Sequence, residues 1–202
     1  AEKLYLTQPY DTAAFYGSLS NMCEYFIKCD ELEQKPDANG KVVVKYRPAN
    51  KEQVHVNRPN LLNGGIFYYN KGDFAKAHSL FSQYISSASS SLLAEYNITP
   101  ETDEYMTDIA AYYSVQAGLQ AGDHKLALAN MDLAKQSKDP AMSASIYRLE
   151  ASSYLSLGDS VKWIELLKEG VERAPEDQYY YSNLALQKCY KSAVICRNNG
   201  VI

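Results

Sequence analysis

The dipeptide Gly-Asp stands three times between stretches of helical pattern, as Gly72-Asp73, Gly122-Asp123 and Gly158-Asp159. Glycine just past the end of a helix and aspartate at the start of the next are the residue types that let one helix stop and another begin within two positions. Three such marks constrain the chain to a succession of helix hairpins. Gly122 and Gly158 are 36 residues apart, close to one hairpin period, whereas Gly72 and Gly122 are 50 apart. The excess falls on Ser86-Ser87-Ala88-Ser89-Ser90-Ser91 and Leu92-Leu93-Ala94-Glu95-Tyr96, which read as an insertion that docks Leu92, Leu93 and Tyr96 on the core.

The apolar pattern places helices on either side of each mark. A first helix is expected from about Asp11 to Cys29, with Ala14, Phe15, Leu19, Met22, Cys23, Phe26 and Ile27 on one stripe and Asp11 or Thr12 as its cap. Between Asp30 and Arg58 the composition turns polar, and Asn39-Gly40 precedes Val42-Val43-Val44. This segment reads as a loop with a possible short hairpin, its second arm near Gln53 to Val56. From Pro59 the helices are expected in pairs: Leu61 to Asn70 with Phe74 to Ser87, Tyr105 to Ala121 with Lys125 to Ser137, and Ala141 to Ser156 with Ser160 to Arg173. A last helix from about Asp177 to Arg197 stops at Asn198-Asn199-Gly200. The expected organisation is an N-terminal region over 1–57, with a helix and a polar loop or hairpin, and a helical array over 58–202. That array divides into 58–91, an insertion over 92–104, then 105–139, 141–175 and a final helix over 177–197.

Setting the three turns in register aligns further positions. The first copy supplies Leu61, Gly64, Gly65 and Tyr68, then Phe74, Ala77 and Phe81. The second supplies Ala111, Val115, Ala127, Met131 and Ala134. The third supplies Tyr147, Ala151, Tyr154, Leu167, Gly170 and Pro175, and Tyr181, Leu184 and Ala185 repeat the first-helix pattern. Small residues at Gly65, Ala77, Ala127, Ala134, Ala151 and Ala185 let helix axes approach, and Tyr68, Phe81, Met131, Tyr154 and Leu167 fill the space beside them. The whole resembles the tetratricopeptide repeat, a helix hairpin of about 34 residues, and is similar to helical-repeat proteins of bacterial cell envelopes. Tyr84, Gly118 and Trp163 depart from the family pattern, and residues 1 to 57 lie outside it. The fold class implied is all-α, an α–α superhelix of about three hairpins and a terminal helix.

Composition narrows the function classes. A formal charge of -4 and a pI near 5.4 come without any basic run, so no nucleic-acid footprint is expected. No apolar stretch reaches the roughly 18 to 20 residues of a membrane span. The chain opens at Ala1 without a leader pattern, from which an exported or periplasmic mature protein is expected, with a cytoplasmic one as the alternative. Cys189 and Cys196 stand seven apart, about 10 Å along one helix and beyond disulfide reach. Cys23 and Cys29 fail in the same way, and no spacing suits zinc. Reduced, largely buried thiols are expected.

Catalytic signals are missing. His55, His78 and His124 have no Cys, Asp or His at a metal-ligand or nucleophile-activating spacing. Asn63-Gly64-Gly65 lies inside a helix, where close packing explains it better than a phosphate loop. The acidic clusters at Asp30-Glu31 and Glu33, at Glu101 with Asp103-Glu104, and at Glu176-Asp177 lie at helix ends, where capping accounts for them. The reading is non-catalytic, with no cofactor and no metal.

The resemblance implies a concave groove lined by the first helices of successive hairpins. Carried over by position, this places Leu62, Ile66 and Tyr69 there, followed by Tyr112, Gln116 and Leu119. Arg148, Ser152 and Leu155 come from the third hairpin, and Tyr179 and Ser182 from the last helix. Tyr and Arg combine apolar contact with directional hydrogen bonds, and inter-helix packing is the alternative role for each tyrosine. The positions with which family members grip an acidic chaperone C-terminus hold Leu62, Ile66, Tyr113, Ser145 and Leu149, so that clamp is absent. The expected partner is a protein or peptide. Eighteen tyrosines motivate a carbohydrate or other small-ligand module as the alternative.

The register itself can be tested by stability. Ala127→Leu is expected to overpack the second hairpin and cost about 1 to 3 kcal/mol, whereas Lys125→Ala should stay within about 0.5 kcal/mol. Equal losses in chemical denaturation would break the register.

Overall fold

The three Gly-Asp marks share one backbone geometry. Gly72, Gly122 and Gly158 have φ of 76°, 73° and 80°, the left-handed region that a side chain disfavours. Each glycine amide donates to a carbonyl three residues back, on Tyr69, Leu119 and Leu155, and each following aspartate amide donates to Tyr68, Gly118 and Tyr154. Those two bonds close the preceding helix as a Schellman motif. The same aspartate then caps the next helix: Asp73 accepts from the Lys76 amide, Asp123 from Lys125 and Leu126, and Asp159 from Lys162. One dipeptide satisfies both helix ends.

The structure is a computed structural model, and it describes residues 11–99, 102 and 107–198, with side chains described through Cys189. Among them the elements are α1 Thr12–Glu33, α2 Arg47–Asn70, α3 Phe74–Ala88, a 3-10 turn Ser91–Tyr96, α4 Thr107–Gln120, α5 His124–Ala129 and α6 Met131–Ala134. They continue with α7 Pro140–Ser156, α8 Ser160–Arg173 and α9 Gln178–Asn198. The fold is all-α, with helices packed on their neighbours in chain order. The chain forms two compact units that divide between Ser137 and Lys138.

In the first unit α3 packs against α2 and α4, and α1 lies on α2 and α3. Leu19, Cys23, Val54, Leu61, Phe81 and Tyr84 are among the members of its core. The 3-10 turn places Leu92 and Leu93 in that core and Tyr96 against it. Burying each leucine contributes about 1.5 to 3 kcal/mol. Gly118 brings α4 onto α5, where a Cβ would lie 2.5 Å from the Ala127 nitrogen. Tyr84 and Trp163, outside the repeat pattern, are both buried. The second unit packs α8 between α7 and α9, around Ala151, Trp163, Leu166, Leu167 and Tyr180.

The structure corrects several sequence expectations. The hairpin is absent: Gln53 to Val56 lies inside α2, which starts at Arg47 and runs through the 57/58 boundary and through Pro59. An interior proline costs roughly 3 kcal/mol, and burial of Val54, Arg58, Leu61 and Tyr68 along the same helix offsets it. The helix expected over Lys125 to Ser137 breaks at Asn130, whose side chain donates to Ser82 at 3.0 Å and Ser114 at 2.7 Å on two neighbouring helices. Ala185 is exposed rather than at a helix contact. Among the cysteines Cys23 is buried, Cys29 intermediate and Cys189 exposed, all free; Cys196 lies outside the described side chains. Tyr105 and the stop at Asn199-Gly200 also lie outside the described residues.

A polar latch sets where α2 begins. Tyr46, the residue before its first turn, has no side-chain capping bond. Glu33, at the end of α1, supplies the carboxylate instead. It accepts from the amides of Lys45 and Tyr46 at 2.8 Å and of Arg47 at 3.2 Å. One turn earlier, the fully buried Asp30 receives Arg47 through Nε at 2.5 Å and Nη2 at 2.8 Å. Gln34 Nε2 and the Ser91 hydroxyl each donate at 2.8 Å to Oδ2, the oxygen that also accepts from Arg47 Nη2. The Arg47 hydrogen bond is the main cause that holds the Asp30 carboxyl below its ordinary value of 3.8, and burial opposes it.

A depressed carboxyl pKa stabilises the fold above the unfolded value and ceases to do so as pH falls through the folded one. Stability should therefore decline in acid below about pH 4, and Asp30→Asn should flatten that decline. At neutral pH the same substitution should cost about 1.5 to 3 kcal/mol by loss of charge-assisted bonds. Urea titrations between neutral and acid pH check both; an unchanged acid limb in Asp30→Asn would remove Asp30 from the explanation.

Candidate functional site

The residues assigned to the groove fall into the two compact units, and each group has its own surroundings. In the first unit Leu62, Ile66 and Tyr69 lie on one face of α2 at spacings of four and three. Leu62 is half-buried against the core, Ile66 is 43% exposed and Tyr69 is half-buried. From α4, Tyr112, Gln116 and Leu119 are each half-buried.

The two helices meet through aromatic rings. Tyr69 sits edge-on to Tyr113 with ring centroids 5.8 Å apart, and Tyr113 sits edge-on to Tyr112 at 5.5 Å. Phe74, at the first position of α3, packs edge-on to Tyr69 at 5.4 Å, and Phe81 lies 6.1 Å from Tyr113. Edge-to-face pairs at these separations satisfy the quadrupoles of the rings and hold their orientation. Burial raises the pKa of Tyr69, and the phenols of Tyr112 and Tyr113 raise it further. The Tyr69 hydroxyl thus stays neutral at ordinary pH, able to donate and accept a hydrogen bond. Tyr113 and Phe74 complete the cluster, although neither was assigned to the groove from sequence. Their aromatic character was legible, but the cross-helix distances were not.

In the second unit the groove residues are Arg148, Ser152 and Leu155 of α7 and Tyr179 and Ser182 of α9. Arg148 binds Asp177, with Nε and Nη2 each 2.7 Å from Oδ2. The Tyr179 hydroxyl donates to the Arg148 carbonyl at 3.3 Å, and its amide donates to Asp177 Oδ1 at 3.0 Å. The charge of Arg148 is thus matched by Asp177 within the protein. Ser152 is half-buried, and Leu155 and Ser182 are exposed. Burial raises the pKa of Tyr179. Sequence reasoning missed Arg173, which stacks over the Tyr147 ring at 3.2 Å and donates to the Tyr180 hydroxyl at 2.8 Å.

The histidines have structural surroundings. His78 is buried, its Nε2 3.0 Å from the Leu126 carbonyl, and His55 stacks on Tyr96 at 3.7 Å. His124 opens α5. Burial pushes the Cys23 thiol up to about 12, which leaves it protonated and a poor nucleophile. Among the described residues no group of three or more His, Cys, Asp or Glu is placed to hold a metal ion, and no helix is long and apolar enough to cross a membrane. Comparison with family models, curated proteins and solved structures returned no match.

Proposed function

We propose that this chain is a non-catalytic interaction scaffold of the tetratricopeptide type, which binds a protein or peptide over the tyrosine face of α2 and α4. The observation that carries this reading is the cluster of Tyr69, Tyr112 and Tyr113, three half-buried phenols contributed by two helices. Interlocked rings lose little further conformational freedom when a ligand covers them, and tyrosine is among the residues that most often dominate binding energy. Ile66, exposed one turn before Tyr69 on α2, extends the face with apolar surface. The Gly-Asp turns support the repeat assignment, because each sets a second helix against a first through the same six-residue geometry. An exported setting fits this reading and awaits fractionation of the native cells.

Tyr112→Ala tests the face, since its ring contacts Tyr113 at the edge of the cluster while Tyr84 holds the core. The variant is expected to weaken capture of a stoichiometric partner by at least about tenfold without lowering the melting temperature much. A pull-down across wild type and variant, with calorimetry, checks this. Binding to a glycan array that Tyr112→Ala abolishes, without a protein partner, would move the face to carbohydrate recognition. Partner binding insensitive to Tyr112→Ala would overturn the assignment of this face.

A further inference from the structure

The β-branched run that suggested a hairpin has no second arm, and its surroundings give it a different use. Lys41 to Lys45 runs without helix, turn or bend, and none of its residues has a positive φ. Such a backbone is extended. Val42, Val43 and Val44 are 49%, 52% and 43% exposed. In an extended chain successive side chains point to opposite sides, so both faces of the run are open. Their main-chain amides and carbonyls make no hydrogen bond with any described residue.

Both ends of this run are fixed. At the start, the Asp37 side chain accepts from the amides of Asn39 and Lys41, while the Lys41 carbonyl accepts from the Asp37 amide. At the end, Glu33 takes the amides of Lys45 and Tyr46. A strand held in this way has already lost the chain entropy that pairing would otherwise cost. Past its end lies a shallow depression of about 510 Å³ lined by Tyr25, Leu32 and Tyr46 among others, with Tyr25 and Leu32 themselves more than half exposed.

Charge selects the occupant. Lys41 and Lys45 flank the three valines symmetrically and are both exposed. Pairing with a second copy, antiparallel about Val43, would set lysine against lysine at both ends, and parallel pairing in register would do the same. Like charges opposite one another destabilise a strand pair. We propose that Lys41–Lys45 is a strand-addition site for an extended segment of another protein, with apolar β-branched residues between two carboxylates spaced four positions apart. The main-chain bonds supply affinity, and the two lysines select the sequence. This site is independent of the tyrosine face.

The peptide acetyl-Ser-Glu-Val-Thr-Val-Glu-Ser-amide, and a counterpart with lysine in place of both glutamates, test this against the isotope-labelled full chain by amide shift titration. The acidic peptide is expected to give saturable shifts at Val42 to Lys45 and to bind about tenfold more tightly than the basic one, as two charge pairs change from attractive to repulsive. Lys41 and Lys45 already spend their amides on Asp37 and Glu33, so the open edge of the run is that of Val42 and Val44, and Val44→Pro removes from it an amide that bonds no described residue. It should abolish the shifts and leave the melting temperature unchanged. Lys41→Glu with Lys45→Glu should invert the preference between the two peptides. Equal binding of both peptides, no shifts in the run, or binding that survives Val44→Pro would overturn the proposal. So would a concentration-dependent dimer of the protein alone, seen in sedimentation and lost in Val44→Pro.

Discussion

The aspartate that follows the left-handed glycine of each hairpin is the point on which the helix hairpins depend. A helix end leaves carbonyls unsatisfied and a helix start leaves amides unsatisfied, and burial without partners costs about 1 to 3 kcal/mol for each group. Asp73, Asp123 and Asp159 meet part of both demands: the backbone amide closes the helix behind, and the carboxylate caps the helix ahead. Because the turn is so short, the second helix folds back against the first, and α2 with α3, α4 with α5, and α7 with α8 follow from the same geometry. The packing then differs by pair. Gly118 admits the α5 backbone against α4, whereas α2 and α3 enclose the larger Leu61, Phe81 and Tyr84.

A second constraint joins α1 to this frame. Asp30 and Glu33 lie one turn apart at the end of α1, and both face the start of α2. Asp30 takes the Arg47 guanidinium and Glu33 takes the backbone amides around it. The Ser91 hydroxyl brings the 3-10 turn to the same carboxylate. Breaking a buried ion pair is costlier than its net contribution suggests, because the remaining charge loses its partners. Three segments are thus tied at one polar point beside an apolar core, and the Val42–Val44 run is held open between them.

The aromatic face and the valine run both derive from this frame and differ in kind. Tyr69, Tyr112 and Tyr113 interlock, so their exposed edges are oriented by ring packing. Val42, Val43 and Val44 offer backbone as well as side chain, oriented by anchors at Asp37 and Glu33. Arg148, which the sequence register assigned to the groove, is balanced by Asp177. A charge matched within the protein contributes little to a ligand unless the pair is separated, so the tyrosines carry the proposed binding face.

Local chemistry was legible in the sequence wherever its causes lie within a few residues. The all-α class, the positions of the hairpin turns, the Asp11 cap that accepts from Ala14 and the start of α8 at Ser160 follow from glycine, aspartate and helical periodicity alone. Tertiary structure decided the rest because the partners are remote in the chain. Helix α2 begins at Arg47 because Asp30 and Glu33 take its guanidinium and the amides around it, and it runs through Pro59 with Arg58 stacked on Tyr84 at 3.7 Å and bonded to its carbonyl, 26 residues away. The helix after Asp123 breaks at Asn130, whose side-chain amide donates to Ser82, 48 residues earlier, and to Ser114. Asp30 keeps its charge while buried because Arg47, 17 residues later, and Ser91, 61 residues later, donate to it. Periodicity could mark a tyrosine as aromatic and helical, but its exposure depends on the neighbouring helix, and that the sequence does not state.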